Sequence, residues 1–111
     1  MVNYSPSLDE TFGALAHPVR REILTRLARG EAAVTELAAP FRLSLPAMLK
    51  HIRILERVGL LASKKMGRVH LCRLTAGPLQ DAAEWLAFYE QYWTLQLDAL
   101  GEFLEAGSGR A

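Results

Sequence analysis

Several things are scarce in this 111-residue chain, and each shortage excludes something. A single cysteine, Cys72, leaves no internal disulfide framework. No apolar run approaches the ~20 residues needed to cross a bilayer, and the opening "MVNYSPSLDE" has neither the basic start nor the apolar core of a secretion signal. A cytoplasmic protein with no membrane partner is the expectation. Glycine-rich phosphate loops, nucleophile–base pairs and carboxylate dyads with a reason to be buried are all missing, so an enzyme is the least expected class. Internal repeats and low-complexity segments are missing too.

One shortage is local. The net charge is only +1, yet residues 42–73 hold eight cations and a single acid, Glu56. Residues 1–41 carry four cations and five acids, and residues 78–111 carry six acids and Arg110. A middle third so short of acid suits an anionic partner, and the ends do not. A basic run alone reads equally well as solvated surface. Its placement on the predicted elements decides between the two.

The element pattern is mainly helical. "SPSLDETFGALA" predicts a short first helix, with Ser7 as cap and Glu10 at the capping-box spacing. "HPVRREILTRLARG" predicts a second, with Pro18 in its first turn, Gly30 at its end and a buried stripe of Val19, Ile23 and Leu27. "AAVTELAAPF" reads as a brief third helix stopped before Pro40. "SLPAMLKHIRILERVGLL" is a fourth, capped by Ser44, with Pro46 in its first turn and Gly59 at its end. "LLASKKMGRVHLCRL" reads as a β-hairpin turning at Met66-Gly67. Pro78 to Glu105 is one long helix, weak only at Gly101. This order is the layout of a winged helix-turn-helix with a long C-terminal helix, in one domain over 1–111. The helix-turn-helix falls at 34–58, the wing at 60–75, and helices at 8–16 and 78–105 are expected to dimerise.

On a helical wheel, Leu45, Leu49, Ile52 and Leu55 gather around Met48, while Lys50, Arg53 and Arg57 fall opposite with Pro46. Ile54 comes out exposed and without a role. A helix built only for solubility would mix glutamate among its lysines to gain i,i+4 pairs. Three cations on one face, behind a serine-capped N-terminus, fit a helix lying in a groove of double-stranded DNA. Ser44, Pro46, Ala47 and Lys50 sit at the end that would enter. Lys50 would meet a guanine edge or a phosphate, and Ala47 a thymine methyl. His51 lies at the edge of the apolar arc, where phosphate contact and a local hydrogen bond are both open. Lys64, Lys65 and Arg68 bracket the hairpin turn, as a wing reaching a neighbouring phosphate or minor groove requires.

The last helix carries two apolar stripes. Leu79, Ala82, Leu86, Tyr89, Trp93, Leu97, Leu100 and Leu104 step by three and four, and Trp85, Phe88, Tyr92, Leu95 and Ala99 run beside them. One stripe can close the domain's own core; two leave a surface for a second chain. The expected dimer interface is Leu8 and Phe12 of the first helix with Leu86, Tyr89, Trp93, Leu97 and Leu100. The other reading, a central helix buried in its own monomer, needs more chain than is here.

Taken together, "ALAHPVRREILTRL", "TELAAPFRLSLPAMLKHIRILERVGLL" and "KKMGRVHLCRL" resemble the ArsR-type winged-helix transcriptional repressors, from about Phe12 to Leu104. The resemblance implies a homodimeric bacterial DNA-binding repressor of a near-palindromic operator, acting by operator occlusion, with Ser44 to Arg57 as recognition helix and Arg68 in the wing. "WLAFYEQYWTLQLDALGEFL" is similar to a branch that lacks metal ligands and spaces aromatics as Trp85, Tyr89 and Trp93 do here. Leu49 stands where the family often has serine, and Ala33 where it often caps the third helix with Ser or Thr. The third helix offers no cysteine, the last helix has Asp81 and Glu84 but no histidine, and His17, His51 and His70 lie on three separate elements. No metal and no cofactor are therefore expected. Cys72 reads as a small buried hydrophobe, with a redox switch as the second reading. An organic small-molecule effector among the aromatics is left open beside plain packing. The alternative function is a winged-helix protein-interaction module, or antitoxin-like partner, with only non-specific DNA binding.

Overall fold

A computed structural model describes residues 6–108. Its elements run α1 (Pro6–Leu15), α2 (Pro18–Leu27), β1 (Ala32–Ala33), α3 (Val34–Ala38), a 3-10 turn (Ala39–Phe41), α4 (Leu45–Arg57), β2 (Leu61–Met66), β3 (Val69–Leu74) and α5 (Gly77–Ser108). The fold is mainly helical with a small antiparallel sheet, the winged helix-turn-helix arrangement. Ile23, Leu37, Met48, Ile52, Leu55 and Leu60 interlock in the core, each sealed from solvent. Ile23 comes from α2, Leu37 from α3 and Leu60 from the turn after α4, while Met48, Ile52 and Leu55 step by four and three along α4, so one face of that helix points inward.

Local chemistry sets the helix ends. α1 starts at Pro6, so Ser7 lies inside its first turn rather than at the expected cap, and its carbonyl accepts the Thr11 hydroxyl at 2.8 Å. His17 caps α2 instead, its Nδ1 accepting the Val19 N–H at 3.1 Å. Ala33 begins α3 without a side-chain acceptor; only the reverse half of a capping box survives, the Ala33 N–H donating to Glu36 Oε1 at 3.4 Å. Pro40 follows the end of α3 at Ala38, as expected. It sits within the 3-10 turn, where its missing N–H is not needed, and the reversal comes at Arg42, which takes the left-handed conformation at φ 56°. α4 ends in a Schellman motif: the Gly59 N–H donates to Glu56 O at 3.0 Å and Leu60 N–H to Leu55 O at 2.9 Å, with Gly59 at φ +81°.

The sheet has a third strand that the hairpin reading omits. Its order is β1-β3-β2, with Ala32 opposite Cys72 and Ala33 opposite Leu71. Two alanines carry neither alternation nor β-branching, so β1 forms only because β3 offers it a ladder. The β2–β3 register pairs Met66 with Val69, leaving Gly67-Arg68 as a two-residue turn with Gly67 at φ +64°. A positive φ at the first turn position suits a type II′ hairpin.

α5 has 32 residues, about 48 Å at 1.5 Å per residue. Its first turns pack on the other described elements. Ala82 is buried, Leu79 packs on the core, and the Trp85 ring stands edge-on to Phe12 of α1 with centroids 5.5 Å apart. Beyond them Tyr92, Trp93, Leu97, Leu100, Phe103 and Leu104 are all more than half exposed. Among the described residues no helix is long and apolar enough to cross a membrane.

Candidate nucleic-acid interface

α4 presents four flanks, each with a different neighbour. Met48, Ile52 and Leu55 enter the core. A second flank faces the wing. There Leu49 is half-buried and Leu45, expected in the buried arc, is 47% exposed, because both line an open cleft between α3 and the wing with Val69, Arg68 and His70. Glu56 also turns this way and accepts the Ser63 hydroxyl at 2.8 Å. The one acid of the basic region is thus drawn toward β2. The third flank meets α2 and carries His51 and Ile54. Ile54, expected to be exposed, is half-buried against the core, since α2 closes over this side of the helix.

The fourth flank faces outward. Pro46, Lys50, Arg53 and Arg57 are exposed along it, and Lys64, Lys65 and Arg68 are exposed at the wing tip. Among the described residues none of these six cations has an ion pair or a side-chain hydrogen bond. The arginines of α2 behave differently. Arg20 and Arg21 donate to carbonyls at the end of α1, and Arg26 bonds the Gly30 carbonyl and lies 3.5 Å from Glu36. So the chain's cations divide into those consumed by the fold and those left over. Arg29, Arg42 and Arg73 are exposed elsewhere, and the six others left over share the outward side of α4 and the wing tip.

At the N-terminus of α4, the Ser44 hydroxyl accepts the Ala47 N–H at 3.2 Å. Pro46 has no N–H at all. The number of free donors that could greet a phosphate is therefore smaller than a generic helix start would offer, and the first turn presents the Leu45 and Pro46 side chains beside them. Ala47 is half-buried.

His51 sits apart from the outward flank. Its ring lies 4.5 Å from that of His17, tilted by 52°, and its Nδ1 is 3.4 Å from Arg20 Nη1. Burial, then the proximity of His17 and of Arg20, lowers its pKa from the ordinary value. Two histidines from separate elements therefore meet here, which sequence spacing did not show: His17 reaches α4 only through the packing of α2. Among the described residues no group of three or more His, Cys, Asp and Glu side chains is arranged to hold a metal ion. Cys72 is fully buried beneath the sheet, and burial, with Glu56 nearby, pushes its thiol up to about 11.

Comparison with known proteins points the same way. The model of a family described as a helix-turn-helix domain matches residues 15–64, from the end of α1 into β2. A solved structure of an ArsR family transcriptional regulator is 42% identical, with a TM-score of 0.76 over 85% of this chain and 97% of that one. The transcriptional repressor SdpR of Bacillus subtilis is 28% identical over 79 residues, 71% of this chain and 88% of that protein. A homodimeric winged helix-turn-helix DNA-binding domain from Mycobacterium bovis is 26% identical, with a TM-score of 0.59 over 87% of this chain and 94% of that one. The chain belongs to the ArsR family of winged helix-turn-helix transcriptional regulators.

Proposed function

We propose that this protein is a homodimeric repressor that binds a near-palindromic operator through α4 and the wing, and blocks transcription by occupying it. One observation carries the reading: six exposed cations that the fold leaves unpaired share one side of the recognition helix and the wing tip. Unpaired cations release counterions from a duplex when they neutralise phosphates, and that gain is the main source of protein–DNA affinity. The name of SdpR supports repression, and the homodimeric Mycobacterium bovis domain supports the assembly.

The dimer follows from α5. Its arc of exposed Leu86, Tyr89, Trp93, Leu97 and Leu100 is too large and continuous for a monomer's surface. A two-fold axis through that arc sets two recognition helices a duplex turn apart, roughly 34–36 Å. Leu8 and Phe12, half-buried on α1, extend the same surface. Regulation is not by metal in this reading. The His17–His51 pair has the cationic Arg20 guanidinium 3.4 Å from His51 Nδ1, and His70 lies on the wing.

The test is selection from a random duplex library with the full-length protein. The expected product is an enriched inverted repeat, bound by two chains, with half-sites one turn apart. Enrichment of no sequence above its shuffled counterpart would instead favour a protein-interaction module that touches DNA only through phosphates.

A further inference from the structure

We propose that Arg20 is a positioning residue for DNA binding: its guanidinium ties the α1–α2 joint to the recognition helix at His51, and the tie needs a neutral His51. The inference rests on the function proposed above and concerns how the reading helix is held, not whether it reads.

One side chain of α2 reaches two other helices. Arg20 Nε donates to Ala14 O at 2.6 Å and Nη2 to Gly13 O at 3.3 Å, where the Ala16 N–H also donates, so Arg20 binds the carbonyls at the end of α1. Its remaining nitrogen, Nη1, points across to His51 Nδ1 on α4 at 3.4 Å. A guanidinium can only donate. His51 Nδ1 must therefore accept, which places the imidazole proton on Nε2. The groups facing His51 leave no place for a second proton: from α2, Arg20 brings a fixed positive charge and His17 brings a ring whose own Nδ1 is occupied by the Val19 N–H. The Gly13 and Ala14 carbonyls of α1 are taken by Arg20. The lowered pKa of His51 agrees with this arrangement.

The position of the tie gives it consequences. At one end α1 leans on α5 through Phe12 and Trp85. At the other, His51 belongs to the same helix as Lys50 and Arg53, the outward cations of α4, and is next in sequence to Lys50. The His51 contact is the loosest of Arg20's three, so it is the one that a proton on Nδ1 severs. Two N–H groups would then face each other, and α4 would lose its hold on the joint. General electrostatics predicts the opposite response, because an extra positive charge on a DNA-binding helix should tighten binding. The sign of the pH response thus separates positioning from simple attraction.

The experiment measures fluorescence anisotropy on the library-enriched duplex from about pH 7.5 to about pH 5.5, with sedimentation and circular dichroism in the same buffers to confirm dimer and fold. Wild type should lose affinity by about tenfold on acidification, the scale of one hydrogen bond to a charged donor. His51→Asn offers an amide oxygen to Arg20 and does not titrate; whatever its affinity at neutral pH, that affinity should not fall in acid. Arg20→Lys keeps the charge without the fork and should bind weakly at both ends. Wild-type affinity that holds or rises in acid, or an Arg20→Lys variant equal to wild type, would overturn the tie. Should the library yield no preferred duplex, the functional reading fails first. The imidazole NMR titration of His51 then decides the tie alone: Arg20→Gln must shift it upward, and an unmoved titration sinks the proposal.

Discussion

Arginine and lysine do two kinds of work in this chain, and the difference lies in what surrounds each charge. Arg20, Arg21 and Arg26 are bonded to backbone carbonyls. Lys50 and Arg53 have exposed heads with no partner among the described residues. Replacing either of the latter with alanine should leave the unfolding free energy unchanged within about 0.5 kcal/mol, as for ordinary surface substitutions. Each should weaken DNA binding and lower the salt slope by about 1. Undiminished DNA affinity in both variants would remove α4 from the interface. His51 makes a further residue-scale prediction. Its pKa is lower in the fold than in the unfolded chain, so the unfolded state takes up the proton first as pH falls. Stability should therefore be level above about 6.5 and decline as pH drops toward the lowered value, and His51→Asn should flatten that decline. Denaturant melts across this window check the sign. Cys72, buried and with its thiol pushed up to about 11, should resist alkylation until the protein unfolds.

At the scale of elements, the turn after α4 fixes how that helix passes into the wing. Gly59 adopts φ +81°, and a Cβ there would meet Pro78 Cγ at 3.4 Å. Gly59→Ala should cost about 1–2 kcal/mol, the penalty of a left-handed alanine, read as a shift in denaturation midpoint. Gly67→Ala at φ +64° should cost a similar amount without any clash, since nothing lies within 4 Å. These glycines, the Ser44 cap and the three-and-four spacing of Met48, Ile52 and Leu55 made α4 and the wing legible from sequence, because each signal is local. β1 was not legible: Ala32 and Ala33 become a strand only when β3 lies alongside. Pro40 marked the end of α3, but the 3-10 turn that holds it was not legible, since such a turn accepts a residue that an α-helix rejects. The outward cations of the candidate site could be read from one helix wheel. The His17–Arg20–His51 contact could not, because it joins residues 31 positions apart through the packing of α2 on α4. Leu45 and Ile54 were misplaced in opposite directions, since the wheel assigns faces but not which neighbour covers each flank.

The whole molecule measures 70 × 36 × 21 Å, elongated because α5 extends well past the domain that carries it. A helix with Trp93 63% and Phe103 74% exposed gains little from its own chain. Its stability in the proposed assembly comes from a second copy. Trp93→Ala should weaken self-association and shift the sedimentation profile toward monomer at dilution, while the core formed by α2 to α4 keeps its cooperative melt. A variant that sediments as wild type would place the dimer surface elsewhere. The basic α4 and wing lie between acidic outer elements, so a dimer would offer DNA two cationic patches rather than a uniform field. The most direct measurement is anisotropy of the full-length dimer on its enriched duplex and on a shuffled duplex of equal length, titrated across salt. Affinity for the enriched duplex at least about a thousandfold above the shuffled one at physiological salt is the predicted result. Equal affinities that fall together with salt would contradict it.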